Sequence, residues 1–264
     1  MKAKKLTRSL IAALSAFLLV SCFACTPPEF AKANLSPVYE SPYNWSQLVY
    51  KNGRFSYMKG WIPASLAGID VSEFQGQINW YAVAADGIDF AIIRLGYRGY
   101  TEGSLFLDAW FYRNIEGARN AGIKIGVYLF SQAINEQEAL EEAQMVIQAL
   151  ENIPLEYPVF FDFEPVADPR GRANDISDEQ LTRNAQVFCE HIEANSYMPM
   201  LYGNAGDVGR MDSWLRNRYG VWFAQYGVAV PTAQFDFLIW QYSSNGVVSG
   251  IDGRVDMNIH FLYP

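Results

Sequence analysis

From Leu66 onward, short apolar runs alternate with stretches of helical period. The runs are Leu66–Asp70, Phe90–Gly96, Ile123–Phe130, Pro158–Glu164, Met198–Gly203, Val221–Gln225, Phe237–Tyr242 and Val255–Asn258. The helical stretches are Trp80–Ala85, Asp108–Ala121, Glu136–Leu150, Asp178–Asn195 and Val208–Arg218. Ser177 stands where an N-cap is needed, with Gln180 as its capping-box partner, and Gly122 stops the helix before it. Strands alternating with helices predict parallel β-α units. Eight strands, with helices after most of the first five, predict a closed barrel of the TIM type with a helix-poor last third. An open doubly wound sheet is the alternative, but no Gly-rich phosphate loop follows any strand. Upstream, Asn52-Gly53 joins two β-prone runs and predicts a hairpin. That hairpin is expected to pack on the barrel, since two strands alone are marginal.

The first residues have another pattern. Lys2, Lys4, Lys5 and Arg8 precede an apolar run, Leu10–Val20, that is too short to span a bilayer. The run ends in Leu19-Val20-Ser21-Cys22, which resembles a bacterial lipobox, with Cys22 the lipidated residue. Residues 1–21 are thus read as a signal peptide and 22–43 as a Pro-containing tether reaching roughly 70 Å. Residues 44–65 form the hairpin extension and 66–264 the barrel. The expected location is the cell envelope, on the membrane surface facing the wall.

Composition narrows the chemistry. The net charge is −8, so nucleic acid, which needs a basic face, is not an expected partner. Two His and three Cys argue against zinc or His-based metal chemistry. His191 reads as a surface or edge residue, His260 as lying past the last strand, and Cys189 as a buried small residue. Glu136, Glu138, Glu141 and Glu142 read as a solvated face. The chain is read as a monomer.

Acidic residues recur where barrel strands end, the usual place for chemistry. Asp70 closes the first run, Asp162 and Glu164 the fourth, and Asp256 lies in the last. Residues i and i+2 of a strand share a face. Phe160, Asp162 and Glu164 therefore face the lumen or mouth, and Val159, Phe161 and Phe163 pack under helices. Two carboxylates in a poorly hydrated cleft repel, so one holds its proton to higher pH. Glycoside hydrolysis needs that division of labour. The bland readings are neutralisation by Arg94, or a cation site of Asp70, Asp162 and Asp256. Tyr128, Trp222, Trp240 and Tyr242 are candidate sugar-stacking platforms, with core aromatics as the alternative.

Several motifs in order carry a resemblance. They are Gly68-Ile69-Asp70-Val71-Ser72, Gln75-Gly76, Ile78-Asn79-Trp80, Phe90-Ala91-Ile92-Ile93-Arg94, Gly126-Val127-Tyr128 and Asp162-Phe163-Glu164. Later come Trp222-Phe223-Ala224-Gln225-Tyr226, Trp240-Gln241-Tyr242-Ser243 and Gly250 to Asn258. Together they resemble glycoside hydrolase family 25, the Chalaropsis-type lysozymes or N-acetylmuramidases. The resemblance implies a flattened β/α barrel of five β-α units and three further strands. It implies cleavage of the β-1,4 bond between N-acetylmuramic acid and N-acetylglucosamine in peptidoglycan, without a metal or other cofactor. It makes Glu164 the general acid and Asp162 its partner, with Asp70 and Asp256 completing the catalytic set. Arg94 and Gln225, inside matched motifs, join Tyr128, Trp222, Trp240 and Tyr242 as expected substrate contacts. One departure is Leu129-Phe130-Ser131-Gln132, where many members have His-Phe after the Tyr. Whether the substrate's 2-acetamido group or a water attacks the anomeric carbon stays open. A module that grips wall glycan without cutting it is the alternative function.

Overall fold

The computed structural model describes residues 39–262. Residues 1–21, Cys22 and most of the tether segment lie outside the described residues.

An extension comes first: β1 (Leu48–Lys51), β2 (Arg54–Lys59) and β3 (Ile62–Pro63) form a three-stranded antiparallel sheet. Asn52 and Gly53 both take positive φ, 53° and 80°. That is the turn whose twist suits a two-residue hairpin. Phe55 on β2 lies 4.8 Å from the Trp240 ring and 5.1 Å from that of Tyr242. The small sheet therefore buries its apolar face against the main body.

The main body is built from β4 (Ser65–Val71), α1 (Trp80–Ala85), β5 (Phe90–Arg98), β6 (Leu105–Leu107), α2 (Phe111–Asn120) and β7 (Lys124–Ser131). It continues through α3 (Glu136–Leu150), β8 (Val159–Phe163), α4 (Asp178–Ala194), β9 (Pro199–Gly203), α5 (Ala205–Arg210) and α6 (Ser213–Tyr219). It closes with β10 (Val221–Ala224), β11 (Ile239–Gly246) and β12 (Val255–Phe261). The strands pair in the order β4-β12-β11-β10-β9-β8-β7-β5, and β5 pairs back with β4, so the sheet closes into an eight-stranded barrel. Pairings are parallel except those of β12, which is antiparallel to β11 and β4. Outside the closed barrel, the short β6 pairs antiparallel with the C-terminal end of β5.

Local chemistry sets several boundaries. Asn79, Asn135, Ser177 and Asn204 each cap a helix by accepting a backbone N–H with the side-chain oxygen. The expected capping box is half formed: Ser177 accepts from Gln180 N, but the Gln180 amide turns to Glu136 and Asn184. The single helix expected over 208–218 is instead α5 and α6. Met211 between them is extended and buried, and the Asp212 N–H donates to Thr182 Oγ1 at 3.1 Å. Burying Met211 and satisfying that N–H outweigh one continuous helical ladder.

Alternation along the strands sorts two cores. Leu66, Phe90, Ile92, Tyr128, Phe160, Met200, Tyr202, Trp222 and Ile239 fill the lumen. Val159, Phe161, Phe163 and their outward neighbours pack under the helices. Gly68 is required at the lumen wall, because a Cβ there would lie 2.2 Å from the Phe90 ring. Two polar expectations are corrected. Glu142 of α3 is fully buried and accepts from Arg98 Nε at 2.8 Å and Ser131 Oγ at 2.6 Å, so it is no part of a solvated face. His260 sits inside β12, which runs on to Phe261, and its Nδ1 lies 2.9 Å from Tyr157 OH.

Candidate active site

The C-terminal ends of the parallel strands form the mouth. A cleft of about 220 Å³ there is lined by Asp70, Arg94, Tyr128, Phe130, Asp162, Glu164 and Asp256, with Ser72, Phe74 and Gln75 at the rim. The fold thus gathers all four predicted acids, with Arg94 and Tyr128, from β4, β5, β7, β8 and β12. Asp70 and Asp256 face each other across the antiparallel β4–β12 pair.

Asp70 is the most firmly held. Its Oδ2 accepts from Gln241 Nε2 at 2.8 Å and Asn258 Nδ2 at 2.7 Å. Gln241 Oε1 in turn accepts from Tyr202 OH at 2.8 Å and Tyr226 OH at 2.6 Å. Asn258 Oδ1 accepts from Trp222 Nε1 at 2.8 Å. Burial, then the charge of Asp256, push the Asp70 carboxyl well above the usual range. Asp162 is also pushed well up, first by burial and then by the charges of Glu164, Asp70 and Asp207, against a downward pull from Arg94. Its buried Oδ1 has no hydrogen-bond partner in the protein. Glu164, just past the end of β8, is raised by burial, Asp207 and Asp256. Asp256 is raised by burial. The site therefore favours carrying protons, the state a general acid needs.

Arg94 does not cancel the acid pair by direct contact. Its Nε donates to Asp108 at 2.8 Å and its Nη2 to Glu73 at 2.9 Å. The guanidinium also lies over Phe74 and Tyr97. It is a fixed piece of the cleft wall. Behind Glu164, Gln132 Nε2 donates to the Glu164 carbonyl at 2.9 Å. The Gln132 carbonyl accepts from Arg172, which is clamped by Glu138. That contact lies in the segment that departs from the family pattern.

The cleft continues on both sides. Past Glu164 lies a hollow of about 390 Å³, lined by Tyr202, Asn204, Gln225 and Tyr226. Beyond Phe74, Arg94 and Phe130 lies one of about 630 Å³, with Tyr97, Tyr100 and Phe106. Gln225 is thus beside Glu164, though its amide is engaged with Thr232.

Three predicted platforms are elsewhere. Trp222 is 1% exposed in the lumen beneath the acids, so no sugar reaches its ring; it acts through Asn258. Trp240 and Tyr242 lie on the outer face of β11, against Phe55. The register explains this: Trp222 pairs with Ile239 and Ala224 with Gln241, so Gln241 points inward and its neighbours outward.

Gln241, Asn258, Tyr202, Tyr226, Asp207 and the Glu73–Asp108 pair complete the site beyond the residues expected from the sequence. Asn258 was within reach, standing at i+2 from Asp256 on one strand face. Tyr226 closes the matched motif that contains Gln225, whereas Asp207 had no signal, because α5 brings it in.

A closed β/α barrel whose mouth holds a buried carboxylate cluster in an open-ended groove has the architecture of a glycoside hydrolase. The chain belongs to glycosyl hydrolases family 25, whose model matches residues 69–251. It is 31% identical over 208 residues to lysozyme M1 of Streptomyces globisporus, covering 74% of this chain and 67% of that protein. It is 25% identical over 194 residues to the autolytic lysozyme of Clostridium acetobutylicum, 73% of this chain but 55% of that protein. The chain thus spans about half the length of that second relative. The bacterial lysozyme structure from Streptomyces coelicolor aligns with TM-score 0.60 and 26% identity, over 73% of this chain and 90% of that one.

Proposed function

We propose that the protein is an N-acetylmuramidase. It hydrolyses the β-1,4 bond between N-acetylmuramic acid and N-acetylglucosamine in peptidoglycan. Glu164 donates a proton to the leaving oxygen, and Asp162 assists. The observation that carries this reading is the Asp162–Glu164 pair, close together in an open-ended groove with both carboxyls raised by burial and by neighbouring acids. The named lysozyme relatives support it.

In this reading the glycan strand crosses the mouth through the three adjoining hollows. Asp162, which lines the cleft, accepts the acetamido N–H of the muramic acid, orienting its carbonyl toward the anomeric carbon. Glu164 protonates the bridging oxygen and later recovers the proton from the attacking water. Asp70, fixed by Gln241 and Asn258, and Asp256 opposite it hold the geometry of the cleft and tune the charges of the acid pair. A module that only grips glycan gains nothing from buried, unpartnered carboxylates, which cost free energy.

The test is incubation of the protein with purified peptidoglycan and analysis of the reducing ends released. Muramic acid ends are expected; glucosamine ends would sink the assignment. Glu164→Gln keeps shape but carries no transferable proton, so turnover should fall by ~10²–10⁴-fold with glycan binding retained. Near-normal turnover would mean another acid does the work. We further infer that residues 1–21 are removed and that an acyl chain on Cys22 holds the enzyme at the membrane surface facing the wall. Detergent partitioning of the wild type against Cys22→Ser tests that part alone, and equal partitioning would overturn it.

A further inference from the structure

The extension before the barrel has a composition unlike the rest. Residues 44–65 contain no Asp or Glu, in a chain of net charge −8; of their three basic residues, Arg54 is ion-paired with Asp86, Lys51 lies beside it at the β1–β2 turn, and Lys59 adjoins the β2–β3 turn. One side of its sheet is spent on the barrel, through Phe55 and Tyr57. Its β2–β3 turn is not. Residues 59–63 are all exposed. Trp61 is 96% exposed, the barest large apolar side chain among the described residues, and its neighbour Ile62 is 68% exposed. Leaving a Trp and an Ile side by side in water is unfavourable unless something covers them.

The turn has a definite place. Pro63 comes two residues before β4, which starts at the barrel floor and reaches the mouth at Asp70 and Val71. At ~3.3 Å per residue, the strand separates floor from mouth by roughly 20 Å. The first described residues meet the same floor. Tyr39 OH donates to Asp236 at 3.0 Å, and Tyr43 OH donates to the Phe237 carbonyl at 2.7 Å, just before β11 begins. The bare tip and the start of the described chain thus share one end of the barrel, and the acids occupy the other.

We propose that the Trp61–Ile62 tip is a contact for an anionic lipid bilayer, seated at the headgroup level. There Trp is favoured for its amphipathic ring. Lys59 beside the tip and the absence of acids in the extension suit a negative leaflet that repels the acidic body. The contact turns the floor to the lipid and the mouth toward the wall. The proposal builds on the envelope location inferred above. The chain between Cys22 and Tyr39 extends to at most ~60 Å, enough for the floor to rest on the bilayer that holds the anchor.

The test uses the chain from Phe23 onward, which lacks the signal segment and Cys22 but keeps every described residue. Its sedimentation with vesicles of phosphatidylcholine containing a quarter phosphatidylglycerol is compared with that of Trp61→Ala/Ile62→Ser. Wild-type binding should weaken in 0.5 M salt, and the double variant should bind about tenfold more weakly. The variant should cut soluble peptidoglycan fragments at the wild-type rate, showing an intact barrel. Equal vesicle binding by both forms overturns the proposal. So does wild-type failure to bind vesicles, including the case where Trp61 instead governs pelleting with isolated cell walls. Because Cys22 is absent throughout, a failure of the lipid anchor shows only in the detergent experiment and is told apart.

Discussion

Asp207 illustrates how much a single charge shapes the site. It sits on α5, mostly buried, with Asn204 Nδ2 donating to its Oδ2 at 2.5 Å. After burial, its charge is the leading influence that raises Glu164, and it raises Asp162 as well. Asn at this position keeps the volume and an acceptor for Asn204 but removes the charge. Glu164 then ionises more readily, so in its proposed role as general acid it loses its proton at lower pH. The alkaline limb of kcat/KM against pH should move to lower pH in Asp207→Asn. A limb that stays put or moves upward would show that Glu164 does not govern it. Asp70 is the opposite case, since its two amide donors resist the burial that raises it.

Among elements, the joint between α3 and β5 carries the most concentrated polar chemistry outside the site. Arg98 of β5 donates to Glu142 and to the Glu138 and Gly103 carbonyls, and Glu142 is held up at about 7 by burial. Arg98→Met leaves Glu142 buried without its cation, a loss of ~3–5 kcal/mol. A protonated Glu142 needs no cation, so the penalty should be smaller at pH 5 than at pH 8. Urea unfolding of wild type and variant at the two pH values measures this; a penalty independent of pH would mean Glu142 is not the group left exposed to the loss. The same joint braces the mouth. Ser131 of β7 is tied to Glu142, and the next residue, Gln132, holds the Glu164 carbonyl.

For the whole molecule, six raised carboxyls set the pH dependence of stability: Asp70, Glu142, Asp162, Glu164, Asp207 and Asp256. A carboxyl raised on folding binds protons that the unfolded chain releases. Its stabilising effect is complete below the unfolded carboxylate range and is lost as pH rises through the folded value. His260 acts the other way. Burial lowers it to about 4, so its contribution is present above its ordinary value and lost as pH falls. The acids outnumber it, and Glu142 alone is worth on the order of 2 kcal/mol between pH 5.5 and 8. The melting temperature should therefore be several degrees higher at pH 5.5 than at pH 8, at about 2–4 °C per kcal/mol for a chain of this size. A melting temperature that rises toward pH 8 would mean these carboxyls are not buried together.

The eight barrel strands and the β1–β2 hairpin were legible because their causes are local. Alternation and period come from backbone geometry, Asn52-Gly53 from its tolerance of positive φ, and the caps from short side-chain acceptors. The shared face of Phe160, Asp162 and Glu164 followed from one strand by itself, and the lumen packing of Phe160 agrees with it. What the chain alone left open was which side of a strand faces inward when polarity along the strand does not decide it. Trp240 and Gln241 are a pair of that kind. Only the register of β11 against β10 sends Gln241 to Asp70 and Trp240 under Phe55. Glu142 likewise reads as one more acid in a charged run, until closure of the barrel brings Arg98 and Ser131 to it. Local pattern follows the nearest few residues, whereas burial and charge neighbours are set by contacts across the whole chain, such as Asp70 with Asn258.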